Sequence, residues 1–217
     1  MASIPLLHDS APPDDLAWQA VGWCERIGAA ALLVAALPIL LVAALIIWTL
    51  AGRTPLIAHR RVGWRGSELW MLKLRTMWNG PAPARAAWIE GIDDWFGPAQ
   101  KRPGDTRVPN AFARFCRRHS IDELPQLWHV VRGEMSLIGP RPLTRRELRD
   151  HYGEFAAEVL RVKPGLAGLW QISGRNRLSY PERLALDLEF VRRRSLLLYL
   201  RIATRAVPEV LSGANTW

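Results

Sequence analysis

Two adjacent acids, Asp122 and Glu123, sit in the part of the 217-residue chain richest in chemically capable side chains, SIDELPQLWHVVRGEMSLIGPRPL at 120–143. Arg117, Arg118 and His119 precede them, and Arg141 follows between two prolines. A carboxylate at a helix start meets unpaired N–H groups and the positive end of the helix dipole, which favours its ionised form. Such a carboxylate can act as a nucleophile or hold a metal, and the same helix start attracts phosphate oxygens. Successive helical residues point about 100° apart, so one acid could attack while its neighbour handles a proton or a metal. First-turn acids are also ordinary capping residues, and the surrounding cations are what favour chemistry. Lys163-Pro164-Gly165 and Gly174-Arg175-Asn176 add basic residues in tight turns. Several cations around two carboxylates suit a diphosphate substrate with a divalent metal.

The elements that must position these groups follow from pattern. Pro125 is excluded from a helix interior, so the helix carrying the acids starts no earlier than about Ile121, with Pro125 in its first turn. Residues 111–119 form a short basic helix. Residues 56–77 read as a β-hairpin turning at Gly63-Trp64-Arg65-Gly66. Residues 78–109, rich in Pro, Gly and Trp, form a loop-rich insert with a short helix near 84–90. Helical periodicity marks 147–160 and 180–200. The second of these runs into RRRSLLLYLRIATR, where Arg residues flank an apolar face. That segment suits a membrane surface or a terminal helix covering the core.

Residues 27–52 contain no charge. As helix they span roughly 39 Å, more than the roughly 30 Å of a hydrocarbon core. Pro38 falls near the middle and bends the helix. A kinked spanning helix and a re-entrant hairpin both accommodate such a break. Basic residues cluster after the run (Arg53, Arg60, Arg61, Arg65, Lys73, Arg75), which places the following domain in the cytoplasm. The first fifteen residues, acidic and with a proline pair, read as a flexible lead. The net charge of +9 points to anionic partners: nucleic acid, lipid head groups or phosphorylated substrates. Eleven Trp against three Tyr fit a water–lipid boundary, a packed core, or both. Two cysteines, Cys24 and Cys116, make no disulfide framework or zinc motif and suit a reducing compartment.

Four blocks in order carry a family resemblance: Lys73-Leu74-Arg75-Thr76-Met77; Asp122-Glu123-Leu124-Pro125-Gln126-Leu127; Met135-Ser136-Leu137-Ile138-Gly139-Pro140-Arg141-Pro142; and PGLAGLWQISGR at 164–175. Together they resemble the bacterial sugar transferases, the small monotopic phosphoglycosyl transferases, over about residues 23–210. The resemblance implies an enzyme that moves a sugar-1-phosphate from a UDP-sugar to polyprenyl (undecaprenyl) phosphate, the first membrane step of exopolysaccharide or other glycoconjugate synthesis. Asp122 would attack the β-phosphate and release UMP, forming an aspartyl-phosphosugar that polyprenyl phosphate then takes. Mg²⁺ would bind near Asp122, and Glu123 would handle a proton. Arg117, Arg141 and Arg175 would hold phosphates, Lys73 and Arg75 match a basic block near the active site, and Lys163, Gln171 and Asp187 complete the expected substrate-binding set. His129 stands where the family commonly has Asn, Ala167 where Thr is frequent, and Glu134 in place of a common Asp.

The expected fold is α+β and mainly helical. A lead (1–19) precedes a membrane-inserted helix (20–53), which the resemblance implies is re-entrant and broken at Pro38. A cytosolic catalytic domain (54–217) with a small β-hairpin and interfacial amphipathic helices follows. The expected location is the bacterial inner membrane, with the catalytic domain facing the cytoplasm; a homo-oligomer is compatible with these features. Two rival classes are a membrane-anchored basic nucleic-acid-binding protein and a non-catalytic polysaccharide-export scaffold. No recognised nucleic-acid motif accompanies the basic clusters, so nucleic acid is not an expected partner. The intact Asp-Glu pair argues against a decayed scaffold.

Overall fold

In the computed structural model, residues 16–78, 88–94, 108, 110–174 and 177–212 are described. Alanine and leucine, both strong helix formers, dominate the first element, α1 (Leu16–Ala51), which continues as helix through Pro38. Among the described residues it is the one helix long and apolar enough to cross a membrane. Its buried positions are Glu25, Ala29, Ala36, Ala43 and Ile47, steps of four and seven residues that keep to one face. The rest of the protein packs on both halves of that face. Ala29 lies with Leu69, Met71, Leu127 and Met135, and Ala43 and Ile47 lie with Leu74. Ile27, Val34, Leu41 and Leu45 are each more than half exposed, an apolar surface of a size that calls for a lipid or protein partner. From Glu25 to Ile47 runs roughly 33 Å of helix, so one domain holds both ends of the apolar stretch.

Glu25 secures the N-terminal end. Its Oε1 accepts from the Ser136 hydroxyl, the Leu137 N–H at 2.8 Å and the Tyr199 hydroxyl at 2.8 Å. A carboxylate this buried is tolerated only when donors replace its lost water.

The expected hairpin is present. β1 (Leu56–Val62) and β2 (Glu68–Leu74) pair antiparallel around a 3-10 turn at Trp64–Gly66. A third strand, β3 (Ile89–Ile92), pairs parallel with the other edge of β1. Ile89 and Glu90 are strand where the expected helix near 84–90 would have ended; residues 84–87 lie outside the described residues. An open strand edge offers unpaired backbone groups, and isoleucine suits the extended state. A second, parallel pair joins β4 (Ser136–Ile138) to β5 (Gly165–Ala167). Here two backbones nearly touch: a Cβ built on Gly165 would lie 2.1 Å from the Gly139 nitrogen.

Helices α2 (Ala111–Arg118) and α3 (Leu127–Val131) flank a 3-10 turn at Ile121–Gln126. The expected 147–160 helix is a chain of short pieces. After α4 (Arg145–Glu147) come a π turn at Leu148–Tyr152, a 3-10 turn at Gly153–Phe155 and α5 (Ala156–Val159), with Gly153 at φ +50°. Following α6 (Leu169–Ser173), the expected 180–200 helix is two, α7 (Tyr180–Arg192) and α8 (Leu196–Ser212). The Ser195 hydroxyl accepts from the Leu198 N–H, restarting the helix after the arginine triplet. On α8, Ile202 is buried in the core while Leu197 and Leu200 face outward, so apolar residues occupy both of its faces.

Asp187 on α7 is buried in this core, where the Tyr152 hydroxyl donates to it at 2.8 Å. Burial pushes its carboxyl up to about 7, against the opposing pull of that hydrogen bond and of Arg183. The unfolded value is about 3.9, so between those values the folded state binds the extra proton. Its stabilising contribution is complete below about pH 4 and is lost as pH rises through about 7. Melting curves from pH 5 to 8 will therefore fall more steeply for the parent than for Asp187→Asn; parallel curves would contradict this. Gly165→Ala will lower the melting temperature by about 10 °C or prevent folding, because the added methyl meets backbone rather than a flexible side chain.

Candidate active site

The two acids stand in the first turn of the 3-10 segment Ile121–Gln126, not of an α-helix. Pro125 lacks the N–H that a longer α-helix would need, and the chain becomes α-helical only from Leu127. Ser120 enters this turn in the left-handed region, φ +54°, a strained backbone position of the kind found at functional sites. In so short a turn the helix dipole is weak, and side-chain cations approach the second acid, Glu123.

Those cations come from separate elements. β2 carries Lys73, whose Nζ lies 2.8 Å from Glu123 Oε1. Arg141, in the loop after β4, approaches the same oxygen at 4.0 Å. Arg117, at the end of α2, is buried and donates toward the Thr76 hydroxyl at 3.5 Å. Asp122 is only 2% exposed. Next to it the Cys116 thiol is pushed up to about 11, chiefly by burial and further by the Asp122 charge. Thus Glu123 brings Lys73 and Arg141 together, Asp122 adjoins it in the same turn, and Arg117 ends the helix that leads into that turn. Arg75 borders it, its Nε donating to the Thr54 carbonyl at 2.8 Å and its guanidinium paired with Glu90. Burial lowers its pKa, against the opposing effect of Glu90.

Other expected residues lie elsewhere. Lys163 stands 5.3 Å over the Trp64 ring. Gln171 donates to the Leu166 carbonyl at 3.2 Å and so serves its own turn. Asp187 is the core acid bonded to Tyr152. Arg175 lies outside the described residues. The Gly139–Gly165 contact brings the third and fourth motif blocks together and fixes the loop that carries Arg141.

Sequence patterns understated three features. Thr76 appeared only inside a basic block, yet it contacts Arg117. An apolar cleft of about 380 Å³ runs between α1 and α2, from Pro38, Ile39 and Val42 to Cys116 and Ile121. It ends one residue from Asp122. His129 and Glu134, noted only as departures from a family pattern, hold each other at 2.6 Å. The Leu72 N–H donates to His129 Nε2 at 3.1 Å, so Nδ1 is the nitrogen that donates to the Glu134 carboxylate. β2 is an edge strand, and the histidine caps its outward N–H beside Lys73.

Among the described residues no group of three or more His, Cys, Asp or Glu side chains is placed to hold a metal. A Mg²⁺ ion held mainly by substrate phosphates needs only one or two protein carboxylates, and Asp122 and Glu123 are the acids that would supply them here.

His129→Ala will destabilise the protein by about 1–2 kcal/mol, because it removes the acceptor of the Leu72 N–H, while Glu134 keeps its pair with Arg132. Denaturant unfolding checks this; no change would remove the proposed clamp on β2.

Comparison with known proteins gives this geometry a family. The bacterial sugar transferase profile matches residues 19–213. The exopolysaccharide production protein ExoY of Rhizobium meliloti (strain 1021) is 38% identical over 170 residues, 76% of this chain and 74% of that protein. The UDP-glucose:undecaprenyl-phosphate glucose-1-phosphate transferase of Caulobacter vibrioides is 38% identical over 199 residues, 87% of this chain and 69% of that protein. The UDP-galactose-lipid carrier transferase of Erwinia amylovora is 36% identical over 198 residues, 86% of this chain and 39% of that protein. With the profile covering nearly the whole chain, this protein belongs to the bacterial sugar transferase family.

Proposed function

We propose that the chain is an enzyme transferring a sugar-1-phosphate from a UDP-sugar to polyprenyl phosphate, at the cytoplasmic face of a bacterial inner membrane. The observation that carries this reading is the Asp122–Glu123 pair, with Lys73 at 2.8 Å and Arg141 at 4.0 Å from Glu123. An apolar cleft leads to it from the membrane helix. Named relatives that act on UDP-glucose with undecaprenyl phosphate, and as a UDP-galactose-lipid carrier transferase, support the substrate classes.

The chemistry runs in two displacements. An Asp122 oxygen attacks the β-phosphorus of the nucleotide sugar. The bond from that phosphorus to the bridging oxygen breaks, and UMP leaves with the electron pair. The sugar phosphate is then an acyl phosphate on Asp122. An oxygen of polyprenyl phosphate next attacks the same phosphorus and returns the carboxylate, giving a polyprenyl diphosphate sugar. Lys73, Arg117 and Arg141 stabilise charge on the transferring and leaving phosphates, where preorganised cations contribute most. Glu123, already bound to Lys73 and near Arg141, holds those cations in place, a more immediate role than moving a proton. A bound Mg²⁺ would supply charge neutralisation on the leaving phosphate.

The apolar cleft gives the acceptor's chain a path to Asp122, and the anchored domain meets its lipid substrate without a search in three dimensions. The domain packs against both halves of α1. That packing supports a helix held along its length against the domain at the membrane, continuous through Pro38 rather than broken there, because a perpendicular spanning helix would leave one end far from the domain.

Purified enzyme will release UMP from at least one UDP-sugar when undecaprenyl phosphate and Mg²⁺ are present. Asp122→Asn will lower that rate by about a thousandfold or more. Lys73→Gln will lower it by about tenfold to a hundredfold through the maximal rate. A folded parent enzyme that releases no UMP from a broad panel of UDP-sugars would overturn the reading.

A further inference from the structure

A second cavity, of about 260 Å³, opens at the N-terminal end of α1 and shares none of its lining with the acid pair. Four cations line it, Arg26, Arg161, Lys163 and Arg194, against one carboxylate, Glu25. That carboxylate's Oε1 already accepts three donors. The nearby acid Glu158 is paired with Arg192 at 2.8 and 2.9 Å. The Arg161 Nε is shielded from solvent and meets no hydrogen-bond acceptor among the described residues. An excess of cations around a shielded guanidinium donor is the environment an oxyanion would complete.

Indoles mark the depth of this site. Trp18, Trp23 and Trp64 line the cavity, with Arg194 stacked 3.7 Å over Trp18 and Lys163 5.3 Å over Trp64. Trp18 and Trp23 sit on the first turns of α1, just before the uncharged run that starts at Ile27. Tryptophan at the edge of an apolar helix belongs at the level of lipid head groups, where anionic lipids attract basic side chains. The exposed apolar residues Leu197 and Leu200 of α8 belong to the helix that reaches Glu25 through Tyr199.

We propose that this cavity binds the phosphate of an anionic glycerophospholipid and sets the depth at which the domain rides in the membrane. The proposal rests on α1 lying in a bilayer, as the proposed function requires, but not on any step of the transfer reaction. A phosphate oxyanion is the chemistry recognised; the commitment is to the lipid-borne form, because the indole rim and the apolar run adjoin the cations.

The test uses the full chain in a neutral detergent, without nucleotide sugar, so that failure of the transfer reaction cannot mask it. Native mass spectrometry and melting temperature follow titration with dioctanoyl phosphatidylglycerol, dioctanoyl phosphatidylcholine or inorganic phosphate. Phosphatidylglycerol will bind saturably and raise the melting temperature. The double variant Arg161→Gln/Arg194→Gln will bind it more weakly by about tenfold or more, while UMP release in the same detergent stays at the parent level. Arg161→Lys, which keeps the charge but lacks the guanidinium Nε donor, will bind with an affinity between those of the parent and the double variant. Unchanged phosphatidylglycerol affinity in the double variant, or Arg161→Lys binding no better than the double variant, would overturn the site. Equal binding of phosphatidylcholine would remove the role of charge, and equal saturation by inorganic phosphate would reassign the cavity to a free anion.

Discussion

Placing a carboxylate at 2% exposure beside an apolar helix costs several kcal/mol unless cations and donors compensate it. That requirement bears on Asp122, whose neighbour in the same turn, Glu123, gathers Lys73 and Arg141. The strand that carries Lys73 to Glu123 also carries Leu74, which packs on Ala43 and Ile47 of α1. Lys73 thus reaches the acid pair from a strand that also packs on the membrane helix, through Leu69 and Met71 against Ala29 and through Leu74 against Ala43 and Ile47. His129 holds the same strand by its outward N–H. Arg141 depends on a different contact, the backbone-to-backbone approach of Gly139 and Gly165, which no side chain could occupy. The site is therefore assembled from three remote segments, each fixed by its own packing.

Anchoring and chemistry are coupled through α1. Its small-residue stripe lets the domain approach closely along both halves, and Glu25 ties its N-terminal end to β4 and α8. The opposite face, rich in Ile, Val and Leu, is left for lipid. In the proposed reaction one substrate is water-soluble and the other confined to the bilayer. A site at the flank of such a helix meets both, and the cleft from Pro38 to Ile121 joins the two environments.

What the sequence revealed was mostly local. The acid pair, the basic block after the hairpin, the hairpin turn and the uncharged run all declare themselves within a few residues. Long-range pairing did not. β3 joins β1 across an insert, and β4 meets β5 from opposite ends of a helical stretch; neither leaves a periodic trace. Direction was also hidden. Lys163 lies in a readable tight turn, but only packing turns it over Trp64. Asp187 could have faced the site or the core, and Tyr152 draws it inward. His129 and Glu134 looked like two separate substitutions until their 2.6 Å contact made them one device.

The most direct test of the account is the mass of the intact protein after mixing with a turned-over UDP-sugar in the absence of polyprenyl phosphate. A nucleophilic Asp122 predicts a mass gain of one phosphosugar, mapped by peptide sequencing to that residue and discharged when polyprenyl phosphate is added. UMP release at the full steady-state rate with no mass gain at any time, under conditions that preserve acyl phosphates, would contradict it.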